Sequence, residues 1–188
     1  ENNIIGSINL ITVATEFKVK KFIFSSTAAV YGYPKYNPID ENHPLEPINH
    51  YGFTKLYIEN YLSWICKIEK MKFISLRYFN AAGYTFKNNL IKFTENKPQN
   101  LLPIIMEVAS NKREIINVFG NDYDTNDGTC IRDYVHVLDL AEAHIRSLDF
   151  LEEKGNMIFN LSSGHSYSVM EVIHRVQLLL NQKINFKF

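Results

Sequence analysis

Tyr51-Gly52-Phe53-Thr54-Lys55 carries a phenol and an ammonium four residues apart, and on a helix that spacing projects both from one face. An unperturbed phenol titrates near ~10. A cation about 4 Å away, at an effective dielectric of ~20, is worth roughly 4 kcal/mol, enough to lower the phenol by about two or three units. Lys55 is therefore expected to depress Tyr51 and bring it within reach of general-base work. Tyr and Lys at this spacing also form ordinary exposed pairs, so the surroundings decide. Ser25-Ser26-Thr27 ends an apolar run, and open α/β sheets bind ligands at the carboxyl ends of their strands. A hydroxyl there can pass a proton between a substrate and Tyr51. Equally, Ser and Thr end strands and cap the turns that follow.

Arg132 offers a planar guanidinium that matches phosphate oxygens in a bidentate fork; a salt bridge to neighbouring Asp133 is the alternative. His136 and Asp139 lack the further ligands a metal needs, and Asp139 suits a helix start. No metal is expected, and no chemistry is assigned to His43 or His50. Cys66 and Cys130 lie far apart without a CxxC or Cys/His cluster, which argues against a disulfide framework or zinc site and reads as reduced thiols in the cytoplasm.

The elements that must position these groups follow from composition and periodicity. The chain has 188 residues, 46% apolar and 21% charged, sufficient for a sizeable core. Twenty basic residues balance twenty acidic ones with no basic run, which leaves no footprint for nucleic acid or an anionic membrane and favours a small-molecule partner. Apolar stretches such as Ile4 to Ala14 are broken and too short to span a bilayer, and no signal peptide is visible. Helical spacing predicts helices over 2–17, 50–69, 102–110, 137–151 and 168–180, the second capped by Asn49. Short β-rich runs predict strands over 19–25, 72–79, 115–119 and 157–161, and residues 183–188 alternate like a further strand. Five positions, Gly32, Pro34, Pro38, Pro44 and Pro47, make 31–49 an extended loop. Residues 80–103 read as a loop and 122–129 as a polar turn region. Helices alternating with nearly continuous apolar strands give an α/β fold with a parallel sheet covered on both faces.

Five segments, FIFSSTAAVYG, YGFTK, RYFNAAG, NLLP and FGNDYDTNDGTCIRDYVHVLDLA, in this order and at these spacings, resemble the extended short-chain dehydrogenase/reductase family, and within it the nucleotide-sugar epimerases of the UDP-galactose 4-epimerase type. The resemblance covers nearly the whole chain. It implies part of a Rossmann-like doubly wound parallel sheet with the beginning of a smaller C-terminal substrate domain. Residues 1–80 then form the later half of the NAD-binding domain, and 81–188 the substrate-binding region, interleaved with returning strands and helices. It also implies NAD as cofactor, a UDP-sugar as substrate, and a homodimer.

By position, the resemblance makes Tyr51 the catalytic base and Lys55 the residue that depresses its pKa and holds the nicotinamide ribose. Thr27 becomes the hydroxyl partner, at a position where epimerases more often carry Ser. Asn2, with Asn3 as second choice, borders the cofactor and Phe79 packs near it. Asn80, Asn100 and Leu101 fall on contacts to the phosphates or sugar, Asn117, Val118 and Phe119 on the strand beside the uracil, and Arg132 on the pyrophosphate. Asn160 to Gly164 matches a turn usually richer in glycine.

Related dehydratases and decarboxylases place a carboxylate just after the strand-end Thr, where this chain has Ala28 and Ala29. That favours C4 epimerisation through a transient 4-keto sugar. The chain starts at Glu1 inside a helical pattern, contains no Gly-rich dinucleotide turn, and stops in a strand pattern. It is therefore expected to be cut at its N-terminus and also at its C-terminus, and to be inactive alone. A non-catalytic remnant or partner-binding fragment is the alternative.

Overall fold

A computed structural model describes residues 2–84 and 97–188. In chain order, a wide π-type turn (Asn2–Gly6) leads into α1 (Ser7–Glu16), followed by β1 (Lys21–Thr27), α2 (His50–Ile68), β2 (Lys72–Tyr78) and β3 (Asn80–Ala82). Then come α3 (Leu101–Ala109), β4 (Ile116–Asn117), β5 (Ile131–His136), α4 (Val137–Lys154), β6 (Met157–Leu161), β7 (Ser166–Ser168), α5 (Val169–Leu180) and β8 (Phe186–Lys187). The chain divides into two compact units, Glu1–Ala81 with Val137–Ser162, and Ala82–His136 with Ser163–Phe188.

In the first unit β1, β2 and β6 pair in parallel. Alternation along the strands sends successive side chains to opposite faces. Phe24 and Phe73 pack with Ile11 and Ala14 of α1 and Ile58 and Leu62 of α2. Ile74 and Leu76, with Ile23 beside them, meet Leu151 of α4. Both faces are covered, which is why these strands read as nearly continuous apolar runs. Fully buried aliphatic side chains such as Ile58 and Leu62 each contribute roughly 1.5–3 kcal/mol.

In the second unit α3 and α5 pack around Ile105, Val108, Ile116, Val118, Met170, Ile173 and Ile184. There β4 pairs in parallel with β8, and β5 runs antiparallel to β7. A capping box starts α5: the Ser168 hydroxyl accepts from the Glu171 N–H, and Glu171 accepts from the Ser168 N–H.

Several boundaries differ from the sequence reading, with identifiable causes. The helix expected over 2–17 begins as a wide turn, because Asn2, Asn3 and Gly6 are poor helix formers. Val19 is not in a strand: its N–H closes the end of α1 on the Ala14 carbonyl. β5 was not expected, since Arg132 and Asp133 interrupt its apolar pattern, and β7 (Ser166–Ser168) is too short and polar to announce itself. Of the loop expected over 80–103, residues 80–82 form β3 and 101–103 open α3, while 85–96 lie outside the described residues.

Candidate active site

At the carboxyl end of the first unit's sheet, Thr27 closes β1 opposite Tyr78 of β2. Its hydroxyl accepts the Ala29 N–H at 3.2 Å and so caps the short turn Ala28–Val30. The capping role and a place at the strand end therefore coincide. Asn49 caps α2 by accepting the Gly52 N–H at 2.8 Å, which places Tyr51 in the first turn. A Cβ on Gly52 would stand 2.3 Å from the Ala29 carbonyl oxygen, so only glycine lets α2 approach the strand-end turn this closely.

Tyr51 is 46% exposed, its phenol facing Thr27 and Tyr78. Burial of its inner part raises it above the usual phenol range, the neighbouring Tyr78 phenol adds to this, and the hydrogen bond with Thr27 opposes it. The expected depression by Lys55 is not found. The Lys55 ammonium is drawn to the Ser25 carbonyl, to which it donates at 3.0 Å, and it lies 5.0 Å from the centre of the Phe24 ring and 5.7 Å from that of Tyr51. Partial burial lowers Lys55 below the usual lysine range.

Ser25 is held from a second side. His144 faces the Leu140 carbonyl through Nδ1 at 2.7 Å. A carbonyl only accepts, so Nδ1 carries the proton and Nε2 accepts from the Ser25 hydroxyl at 2.9 Å. An ammonium has three N–H donors; with one on Ser25, Lys55 retains donors that match the hydroxyls of a ribose, beside a phenol of matching reach.

Of the two asparagines near the start, Asn3 donates to the Thr54 hydroxyl at 3.3 Å, and Thr54 donates to the Tyr51 carbonyl at 2.7 Å. Asn2 is exposed, and Phe79 is half-buried just past the end of β2. Thus Thr27, Tyr51 and Lys55 are brought together in the first unit, to which Asn2, Phe79 and Asn80 also belong. Glu59, Arg77, Tyr31 and Asn160 form a buried polar network there that sequence reasoning missed. Its one signal was an arginine inside the apolar run KFISLRYF.

The remaining residues lie in the second unit. Asn100 precedes α3, and Leu101 packs against that unit's core. Asn117 is exposed, Val118 is buried, and Phe119 is 83% exposed. Arg132 is exposed on β5 opposite Tyr167, while Asp133 accepts the Ser163 N–H at 3.1 Å. A cavity of about 350 Å³ in this unit, lined partly by Lys112, Arg113 and Lys183, contains none of the residues read from sequence. Among the described residues no group of three or more His, Cys, Asp or Glu is placed to hold a metal, and no helix is long and apolar enough to cross a membrane.

Residues 1–162 match the NAD dependent epimerase/dehydratase family. The UDP-glucose 4-epimerase of Halalkalibacterium halodurans is 46% identical over 92% of this chain and 52% of its own length. That of Bos taurus is 42% identical over 98% of this chain and 54% of its own. A crystal structure of UDP-glucose 4-epimerase from Bifidobacterium longum, in complex with NAD+ and UDP, superposes with a TM-score of 0.92 at 38% identity, over 99% of this chain and 56% of that one. The chain spans about half the length of the curated relatives it matches.

Proposed function

Because the chain belongs to the NAD dependent epimerase/dehydratase family, we propose that the protein carrying it interconverts UDP-glucose and UDP-galactose by transient oxidation at C4. The observation that carries this reading is the convergence of Thr27, Tyr51 and Lys55 at the end of a parallel sheet. Likeness to UDP-glucose 4-epimerases over nearly all of this chain supports the substrate class. The first unit then belongs to the NAD side and the second to the UDP-sugar side.

Bound NAD supplies a reversible acceptor for the hydride that leaves C4. Lys55 and Tyr51 hold its ribose, with Asn2 and Phe79 alongside. Tyr51 receives the C4 hydroxyl proton, directly or through Thr27, as C4 becomes a ketone, and returns it when C4 is reduced from the opposite face. In the second unit, Arg132 anchors the pyrophosphate, Asn117, Val118 and Phe119 border the uracil, and Asn100 and Leu101, with Asn80 of the first unit, complete the sugar and phosphate contacts. Ala28 and Ala29, in the turn that Thr27 caps, provide no acid for eliminating a hydroxyl, which disfavours a dehydratase.

Two free cysteines support a reducing compartment, the cytoplasm. A homodimer is supported by exposed apolar stripes at helical spacing, Leu10 and Val13 on α1 with Phe17 just past its end, and Phe53, Tyr57, Trp64 and Ile68 on α2. The experiment is to incubate the purified protein carrying this chain with UDP-galactose and follow products by NMR. UDP-glucose forming without net reduction of NAD is expected; a 4-keto-6-deoxy product, or none, overturns the reading.

A further inference from the structure

Tyr51, Lys55 and Glu59 are spaced by four residues along α2, so they share one helix face. Glu59, only 3% exposed, accepts from the Ser26 hydroxyl at 2.5 Å and from Arg77 through Nε at 3.0 Å and Nη2 at 2.5 Å. Ser26 and Arg77 are cross-strand neighbours, and the next pair along the same register is Thr27 and Tyr78, the two residues that border the Tyr51 phenol. One carboxylate thus holds both strands one step before the ends where the reacting groups converge. The network extends outward: Arg77 donates to the Tyr31 hydroxyl at 2.9 Å, Tyr31 to Asn160 at 2.6 Å, and Asn160 to the Ile39 carbonyl at 3.0 Å.

A fully buried ion pair is a weak source of stability, because desolvating both charges offsets most of their attraction; its best-attested use is to fix one register among several. Apolar packing between α2 and the sheet leaves the helix free to slide by small amounts, whereas directional bonds to Glu59 from the adjacent strand residues Ser26 and Arg77 do not. We propose that Glu59 and Arg77 are positioning residues, which lock α2 against β1 and β2 and so set Tyr51 and Lys55 against Thr27. For its kinetic arm this inference rests on the epimerase reading.

The test uses the protein carrying this chain, labelled with 3-fluorotyrosine, whose phenol ionises at lower pH than tyrosine. Fluorine NMR then reports the Tyr51 titration, assigned by its loss in Tyr51→Phe. The double variant Glu59→Leu/Arg77→Met replaces the pair by apolar groups, which buried ion-pair sites tolerate. Ser26→Ala removes the β1 link alone. In the folded double variant the Tyr51 midpoint should fall toward its solvent value. kcat should drop at least ~10-fold with KM changed less than ~3-fold. Ser26→Ala should move both in the same direction by less. A folded double variant with the parent midpoint and kcat overturns the proposal. If the double variant does not fold, Ser26→Ala decides, an unchanged midpoint and kcat overturning it and a shift in both supporting it. A parent protein that does not epimerise UDP-galactose defeats the functional reading, while the NMR titration still judges the positioning role.

Discussion

The ammonium of Lys55 donates to the main-chain carbonyl of Ser25 at 3.0 Å while standing 5.7 Å from the centre of the Tyr51 ring. Lys55 is thereby tied to β1, and burial leaves Tyr51 above the usual phenol range. A positive charge brought beside the phenol favours its ionised form. A cationic nicotinamide favours the phenolate and lowers its pKa. The Tyr51 titration should therefore move to lower pH when the NAD-free protein is loaded with NAD, read by fluorine NMR of 3-fluorotyrosine. A midpoint that rises or stays put contradicts this arrangement.

Gly52 packs against Ala29 with no room for a methyl group, since an added Cβ would come within 2.3 Å of a main-chain oxygen. Gly52→Ala must push α2 away from the strand-end turn, although alanine favours helix intrinsically. Turnover should fall at least ~10-fold, because misplacement near 1 Å can cost about 10²-fold. Activity within twofold of the parent, measured at saturating UDP-galactose, would show that the close approach is not needed.

What the sequence made legible, and what it hid, has a physical pattern. β6 was read at its observed bounds, and β1, β2 and α2 nearly so, because uninterrupted apolar runs and the Asn49 cap are local signals. β5 and β7 depend on pairing with each other, and their polar residues give no local hint. The Tyr51/Lys55 pair was visible from spacing, but its electrostatics were not: the competing acceptor, the Ser25 carbonyl, lies thirty residues away in sequence. Glu59 was overlooked for the same reason, since its partners Ser26 and Arg77 are supplied by two different strands.

Asp127 accepts from the Thr129 N–H and hydroxyl, each within 2.8 Å, and from the Ser168 hydroxyl that caps α5. The Ser168 and Thr129 hydrogen bonds hold its carboxyl below the usual range. A depressed carboxylate adds stability above its unfolded pKa, near ~4, and loses it as pH falls through the folded value. Asp127→Asn should therefore melt about 1–4 °C below the parent at pH ~7, with the gap narrowing as pH falls below the unfolded value. A gap that is constant across this range, measured by circular dichroism, rules out the carboxylate as its source.

Arg132 is exposed on β5, and the proposed function makes it the anchor of the diphosphate. Arg132→Ala should raise KM for UDP-galactose about 10-fold or more and change kcat by less than about threefold, because ground state and transition state share the diphosphate contact. A lowered kcat at unchanged KM would move Arg132 from anchoring to chemistry.

The central claim, that Tyr51 is the proton acceptor of a C4 epimerase, is tested most directly by Tyr51→Phe. The substitution removes one oxygen and keeps the ring that packs at the end of β1. In the protein carrying this chain, conversion of UDP-galactose to UDP-glucose should fall by at least ~10²-fold, the scale of a lost general base. UDP binding by calorimetry should stay within about threefold of the parent, because the ring and its packing remain. Conversion within tenfold of the parent, with binding intact, would contradict the account.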